Sequence, residues 1–422
     1  MFIQIWVVFN VILSAMLLMC YCYQLFYIVT SLVLKKAKNM DSKIHTCNNY
    51  AVLIPARNEA QVISQLIFSI NEQSYPKNKI TVFVIADNCT DDTAALARSV
   101  GAVVWERFDK RHIGKGYALN FLFSKIFESY TQDDFDGFFI FDADNLLDQN
   151  YIFEMNKTFN MGYKIVTSYR NSKNYASSWL SAGSSLWFLR ESQYMNNARM
   201  ILGTGCAISG TGFLVSADII YKNGGWPFLL LTEDIEFSVY NAIAETRIAF
   251  CRSAILYDEQ PITFRQSWDQ RLRWAKGFYQ VLNRYGTTLM KTIIKKRSFY
   301  AFDMFMIIIP GWTVTSITMS LHTAVIALGF ILGFDISTVV VMFLSAILTL
   351  YILFFIIGGI TVVTEWKMIH CRAFFKIAYL FTFPLFIFTY MPVAVFAMFR
   401  RVEWKPIIHT VIKKVDDVCK KN

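Results

Sequence analysis

Hydrophobic residues fall into two regimes along the chain. Residues 2–34 form one nearly unbroken apolar run, and three more follow near 301–333, 338–363 and 374–399. Each exceeds the ~20 residues a helix needs to cross hydrocarbon, so both ends are predicted to be membrane helices. Between them, short β-branched runs alternate with stretches at helical spacing. YAVLIPA (50–56), ITVFVIAD (80–87), GAVVWERF (101–108) and FDGFFIFDAD (135–144) read as buried parallel strands ending in polar turns. EAQVISQLIFSINEQ and DDTAALARSV, which separate them, carry the spacing of amphipathic helices. The alternation predicts an α/β domain whose ligand groups gather at the carboxyl ends of the strands.

Charge extends this picture. The net charge of +10 does not form a nucleic-acid footprint. Lys35, Lys36 and Lys38 follow the first apolar run, and Lys291, Lys295, Lys296 and Arg297 precede the second. Lys367, Arg372 and Lys376 lie between later runs, and Arg400, Arg401 and Lys405 follow the last. This is a positive-inside distribution with some attraction to anionic lipid, and it argues against nucleic acid as a partner. It places residues from 35 onward in the cytosol. With no basic segment before it, the first run reads as an anchor rather than a signal peptide. Three crossings after an N-terminal one would strand the basic tail outside. One run must therefore be interfacial or re-entrant, or divide in two, with Pro310, Gly311, Pro384 and Pro392 as break points. The eight cysteines show no CxxC spacing and suit a reducing compartment.

Several strand ends carry candidate chemistry. FDADN puts Asp142 and Asp144 one residue apart where the most apolar strand ends, a good setting for Mg²⁺ or Mn²⁺ shared with a substrate phosphate. Standing alone, such a pair would be an ordinary acidic turn. Asp87 ends a strand and can reach a base or ribose, whereas Asp91 and Asp92 suffice as helix caps. Lys115, in GKGYALN, precedes a helical stretch and suits phosphate contact or a plain surface turn. GTGCAISG (203–210) lacks the GxGxxG spacing of a dinucleotide loop; its glycines let backbone pass close to a bulky ligand. LTEDIEF sets Thr232 at a helix N-cap with Glu233 and Asp234 in the first turn. There the helix dipole favours the ionised carboxylate that a general base needs. In QRLRW, Gln270, Arg273 and Trp274 share one helix face. They offer an amide, a planar fork for a diphosphate and an apolar plate for a sugar, unless the segment is simply an interfacial helix.

Taken in order, VLIPARNE (52–59), VIADNCTDDT, GKGYALN, FDADN, ISGTGF, TED and QRLRW resemble the membrane-embedded family 2 glycosyltransferases. These are the processive synthases of cellulose, hyaluronan and poly-N-acetylglucosamine. The resemblance covers roughly residues 50–280. It implies a GT-A fold, a Rossmann-like α/β nucleotide-sugar-binding domain in the cytosol flanked by transmembrane helices. The expected layout is a transmembrane helix over 1–34, the GT-A domain over 45–262 and interfacial helices carrying QRLRW over 263–300. Transmembrane helices over 301–400 and a basic tail over 401–422 complete it.

The resemblance also implies an inverting transfer at the plasma membrane from a UDP-sugar, UDP-glucose or UDP-N-acetylglucosamine, to a growing β-linked glycan. Mg²⁺ or Mn²⁺ would be required, and membrane lipid and accessory export or modifying subunits are further partners. Ala56, Glu59 and Asp87 would line the nucleotide pocket, with Lys115 on the donor phosphates. Asp142 and Asp144 would meet diphosphate and metal, Asp144 the more directly, and Gln270 and Arg273 would hold the diphosphate. Gly210, Thr211, Glu233 and Trp274 would face the acceptor, and Asp234 would be the base. Ala86-Asp87-Asn88 departs from the two aspartates and glycine of many relatives. The alternative is a single-addition enzyme making a glycolipid, because some of those share the QxxRW pattern. A transporter or scaffold with a degenerate catalytic domain fits poorly with an intact DAD, TED and QRLRW. Trp312, Tyr351 and Tyr390 are candidates for a glycan path or for interface anchors.

Overall fold

The computed structural model describes residues 2–34, 46–309, 311–333, 336–407 and 409–419. Lys35, Lys36, Lys38 and Pro310, and the side chain of Trp312, lie outside what is described. Eight strands make one sheet: β1 (Tyr50–Ala56), β2 (Ile80–Asp87), β3 (Val103–Arg107), β4 (Gly137–Ile140), β5 (Leu146–Leu147), β6 (Ile165–Ser172), β7 (Phe213–Ser216) and β8 (Ile248–Asp258). Their order is β3-β2-β1-β4-β7-β6-β8-β5. The four strands expected from the sequence run parallel. β7, however, is antiparallel to both β4 and β6, so the sheet is mixed rather than wholly parallel. Four residues of β7 are too few to announce a direction.

Residues Tyr50 to Ile54 and Phe138 to Ile140 are 0% exposed, which is why these strands read as continuous apolar runs. Alternate residues feed two separate cores, as the period of a strand requires. Leu53, Phe83 and Ile140 join Trp226 on one side, and Ile54, Val84 and Phe139 join Leu214 on the other. The parallel register, with Leu53 opposite Ile140 and Ala56 opposite Ala86, brings Ala56, Asp87 and the Asp142–Asn145 turn to one edge.

After β8 comes a 33-residue helix, Phe264–Lys296, which carries QRLRW. It lies against the start of the Glu233–Ile243 helix at Gly277, where a Cβ would collide with Thr232. Among the described residues three segments are long and apolar enough to cross a membrane: Thr313–Ile331, Ser337–Thr364 and Ala373–Phe399. The run expected from 301 is split, because Phe299–Ile308 is a helix of its own. The Phe2–Val33 helix docks on it. Tyr23 and Tyr27 donate to the Asp303 carboxylate at 3.0 and 2.8 Å, and Arg199 grips the same carboxylate through two nitrogens.

The last apolar segment is tied to the α/β domain near its start and to the long helix at its end. Just before it, Glu365 accepts from Tyr169 of β6 at 2.6 Å, and Asn171 donates to the Met368 carbonyl. At its far end Val393 and Ala397 cluster with Leu272 of the long helix. Between these points the segment is divided at Thr389 into two helices, Ala373–Phe388 and Tyr390–Phe399. There Arg271, stacked on Phe386 and Tyr390 at 4.8 Å each, donates to Thr389 Oγ1 and the Phe386 carbonyl.

Candidate active site

β4 passes directly into Asp142-Ala143-Asp144-Asn145. Asp144 is buried: its Oδ2 accepts the Glu259 N–H at 2.7 Å, its Oδ1 accepts Asn145 Nδ2 at 3.2 Å, and Lys173 Nζ caps its carbonyl at 2.9 Å. Asp142 is less enclosed, and its Oδ1 receives Lys115 Nζ at 2.5 Å. Lys115 also donates to the Gly210 carbonyl at 2.7 Å and stands 3.7 Å from Glu233. The Gly210 N–H donates to Asp234 Oδ2 at 2.6 Å, and Thr211 Oγ1 accepts the Asp142 N–H at 2.8 Å. One short loop therefore ties the metal-type turn, the lysine and the acid pair together. It turns through φ +81° at Gly210 and +69° at Gly212, and a Cβ on Gly212 would collide with Leu256. Only glycine fits both requirements.

The electrostatics of the acid pair differ from the helix-dipole expectation. Burial pushes the Glu233 carboxyl up to about 8, against the pull of Lys115 and with help from Asp234. Burial also raises Asp234, again opposed by Lys115. Desolvation thus outweighs the partial charge of the helix N-terminus. Thr232 occupies the N-cap position but makes no side-chain cap bond; its hydroxyl is buried against Gly277 without a partner. Burial alone would depress Lys115, but Asp142 and Glu233 outweigh it and the ammonium is held charged.

Among the residues expected to border a nucleotide, Ala56 is buried and Glu59 follows it, with its N–H on Thr93 Oγ1 at 2.9 Å. Asp87 stands at the end of β2, but its Oδ1 is taken by Arg107 at 2.6 Å and Asn88 at 3.1 Å. On the opposite side, Trp274 meets Phe188 edge to face at 6.0 Å, and Gln270 is half-buried on the same helix face. Burial lowers Arg273, and the acids Glu233, Asp142 and Asp234 oppose that.

The segment after the last helix, expected to be only a basic tail, crosses this same edge. The Trp404 ring faces Arg57 at 5.3 Å and Arg273 at 5.7 Å, and Arg273 Nη1 donates to the Lys405 carbonyl. His409 Nδ1 lies 3.0 Å from both Glu59 oxygens, and its Nε2 is 4.0 Å from Asp144 Oδ2. The Thr410 and Val411 N–H groups donate to the two Glu259 oxygens at 3.0 Å. Lys413 reaches the Lys173 carbonyl, and Val418 packs with Leu146 and Tyr257. Burial would lower the His409 imidazole, but Asp144 and Glu59 outweigh it and push it up to about 9.

Of His409, Trp404, Arg57, Arg107, Lys173 and Glu259, none was singled out from the sequence. Only Glu259 had a signal, since it follows β8 as the other acids follow their strands. Among the described residues no three His, Cys, Asp or Glu side chains converge tightly enough to hold an ion unaided. A cation here would be completed by substrate oxygens, as hard cations at phosphate sites are. The buried carboxylate of Asp144 beside Asp142 supplies the oxygen donors that Mg²⁺ or Mn²⁺ prefers.

The sequence profile of the glycosyltransferase-like family 2 matches residues 48–277, more than half the chain. The chain belongs to this family. It is a glycosyltransferase of GT-A fold. It is 26% identical over 280 residues to the probable glycosyltransferase YdaM of Bacillus subtilis, covering 60% of each chain. It is 26% identical over 275 residues to poly-beta-1,6-N-acetyl-D-glucosamine synthase of Staphylococcus aureus, covering 63% of each. The chain thus matches 60–63% of the length of these relatives. A mannosyltransferase from Pyrobaculum calidifontis, solved with GDP-mannose and Mn²⁺, shares the fold with a TM-score of 0.57 at 15% identity. That match covers 92% of this chain and 97% of the other.

Proposed function

We propose that this glycosyltransferase carries out an inverting, metal-dependent transfer from a UDP-sugar to a growing β-linked polysaccharide. It adds sugars in succession and passes the product through its own membrane helices. The observation that carries the reading is the placement of the Glu233–Asp234 pair across one glycine loop from Asp142 and Asp144, with Arg273 and Trp274 closing the same edge. Asp234, oriented by the Gly210 amide, takes the proton of the acceptor hydroxyl. Asp142, Asp144, Lys115, Gln270 and Arg273 hold the diphosphate end of the donor, while Ala56, Glu59 and Asp87 border its nucleotide. Gly210, Thr211, Glu233 and Trp274 shape the acceptor side. Asp142 and Asp144 would hold a Mg²⁺ or Mn²⁺, which would supply neutralisation of charge at the diphosphate. No second carboxylate nucleophile is needed for inversion.

The similarity to a poly-β-1,6-N-acetylglucosamine synthase supports a polysaccharide product and makes UDP-N-acetylglucosamine, with UDP-glucose, the donor to try first. The membrane layout is part of the same proposal. The GT-A domain over 45–262 and the tail face the cytosol, and the helix over 1–34 is an anchor. The pair Gly311–Leu332 and Ser337–Thr364 crosses out and back. The segment over 373–399, divided at Thr389 and packed on the long helix at its end, is re-entrant or interfacial, which removes the parity conflict of the basic tail. Trp187 stands 6.1 Å from Tyr390, beside the Phe188–Trp274 contact, and these rings outline a route for the acceptor.

The test uses the full chain in lipid vesicles with a panel of radiolabelled UDP-sugars, with Mn²⁺ or with EDTA, and product length read on a sizing gel. A ladder or high-molecular-weight product from one donor, abolished by EDTA, is expected. A single labelled lipid band would replace processive synthesis with glycolipid formation, and turnover unaffected by EDTA would overturn the metal requirement.

A further inference from the structure

We propose that Glu365, in the loop that joins the last two long apolar segments, is a positioning residue of the transfer site. It fixes the junction of β6 and β8 on which the glycine loop of the acid pair rests, and so sets the aim of Asp234. The inference rests on the reading of Asp234 as the base.

The glycine loop is carried by β6. Ser168 Oγ donates to the Gly212 carbonyl at 2.7 Å, and Arg170 Nη1 donates to the Ser209 carbonyl at 2.6 Å. Both ends of the loop are thus held by residues two apart, which share one face of the strand. Arg170 is itself braced, by its Nε on Asp258 Oδ2 at 2.6 Å and by its guanidinium over the Phe188 ring at 3.6 Å. Between the two supports the Gly210 N–H donates to Asp234. Tyr169, which separates Ser168 from Arg170, belongs to the core beneath the strand and is 1% exposed. Its hydroxyl donates to Glu365 Oε2 at 2.6 Å.

The two strands fall out of step at this same point. Pairing passes from Ser168 opposite Cys251 to Tyr169 opposite Ile255, so Arg252, Ser253 and Ala254 bulge from β8. Bulges are rare in parallel pairs, and beside active sites they re-aim side chains. Glu365 meets both strands there. Besides Tyr169 of β6, Arg252 of β8 stands 3.9 Å from its Oε1. Glu365 is only 2% exposed, and a carboxylate so far removed from water is costly unless its partners are in place. The loop therefore docks in one register. Asn171, on the same face of β6 as Tyr169, repeats the tie by donating to the Met368 carbonyl at 2.9 Å. A mere tether for the apolar helices could use any surface of the domain, whereas this one grips the strand between the two supports of the glycine loop.

The test is amide hydrogen exchange, read by mass spectrometry on the full chain in lipid nanodiscs, beside transfer measured in vesicles. Losing a hydrogen bond to a carboxylate loosens what it holds by about 10- to 100-fold. Tyr169→Phe and Glu365→Ala are each expected to speed exchange over residues 209–212 by that factor, with Tyr50–Ala56 unaffected. Transfer falls with them, while UDP affinity by calorimetry stays at the wild-type value. Glu365→Gln still accepts from Tyr169 and is expected to restore both the protection and the transfer. Unchanged exchange over 209–212 in both variants, or acceleration that extends equally to Tyr50–Ala56, overturns the inference. So does unchanged transfer in a chain whose loop is loosened, or a Gln variant as impaired as the Ala one. Full transfer by Asp234→Asn would instead overturn the base reading, and the exchange difference would then stand by itself as evidence of the tie.

Discussion

Asp234 accepts the Gly210 amide and sits in the first turn of its helix, so Asn at this position keeps the shape and removes the proposed base. Asp234→Asn is expected to slow transfer by about 10²- to 10⁴-fold while UDP affinity, measured by calorimetry, stays near wild type. Lost UDP affinity would count against the assigned role. Its neighbour Glu233 sets a pH dependence. Burial raises its carboxyl from an ordinary 4.5 to about 8, so the folded state favours the protonated form. The resulting stability is fully present below about pH 4.5 and is lost as pH rises through about 8. In metal-free detergent solution the melting temperature should fall across that window, and Glu233→Gln should flatten the slope. An equal slope in the variant would assign the effect to other groups. At this scale the sequence was informative about residue type and position but not about commitment. Asp87 was legible as a strand-end acid, yet its pairing with Arg107 depends on how β2 and β3 align.

Among elements, the docking of the Phe2–Val33 helix depends on a charge pair removed from water. Asp303 is 0% exposed and Arg199 1%, and Tyr23 and Tyr27 share the same carboxylate. Asp303→Asn leaves the guanidinium uncompensated and should destabilise the protein by about 3–5 kcal/mol, read as a lower thermal midpoint in detergent. Replacing both partners, with Arg199→Met and Asp303→Leu, should recover most of that loss. A double variant as unstable as the single one would refute the charge argument. Strands β1, β2 and β4 and their helices were legible because burial on both faces writes itself as apolar runs. The break that makes Phe299–Ile308 a separate helix was not, since both sides of it are apolar and only its partners differ.

At the scale of the whole molecule, the segment after the last long apolar helices lies on the GT-A domain. A reporter fused after residue 419 should therefore share the compartment of one inserted in a catalytic-domain surface loop, as protease protection in intact cells would show. Opposite compartments would overturn the docked tail and the re-entrant placement of the last apolar segment together. Local pattern was enough to announce long apolar helices, an α/β domain and the acids at its strand ends. Those features depend on neighbours a few residues apart, and hydrophobic period reports such neighbours directly. It was folding in three dimensions that gave Asp144 its lock from Glu259 and Lys173 and set Arg271 at the helix break at Thr389. The same holds for His409, placed against Glu59 across 350 residues of chain. Contacts of that range depend on the path of the backbone through the sheet and membrane helices, and no period in WKPIIHT encodes it.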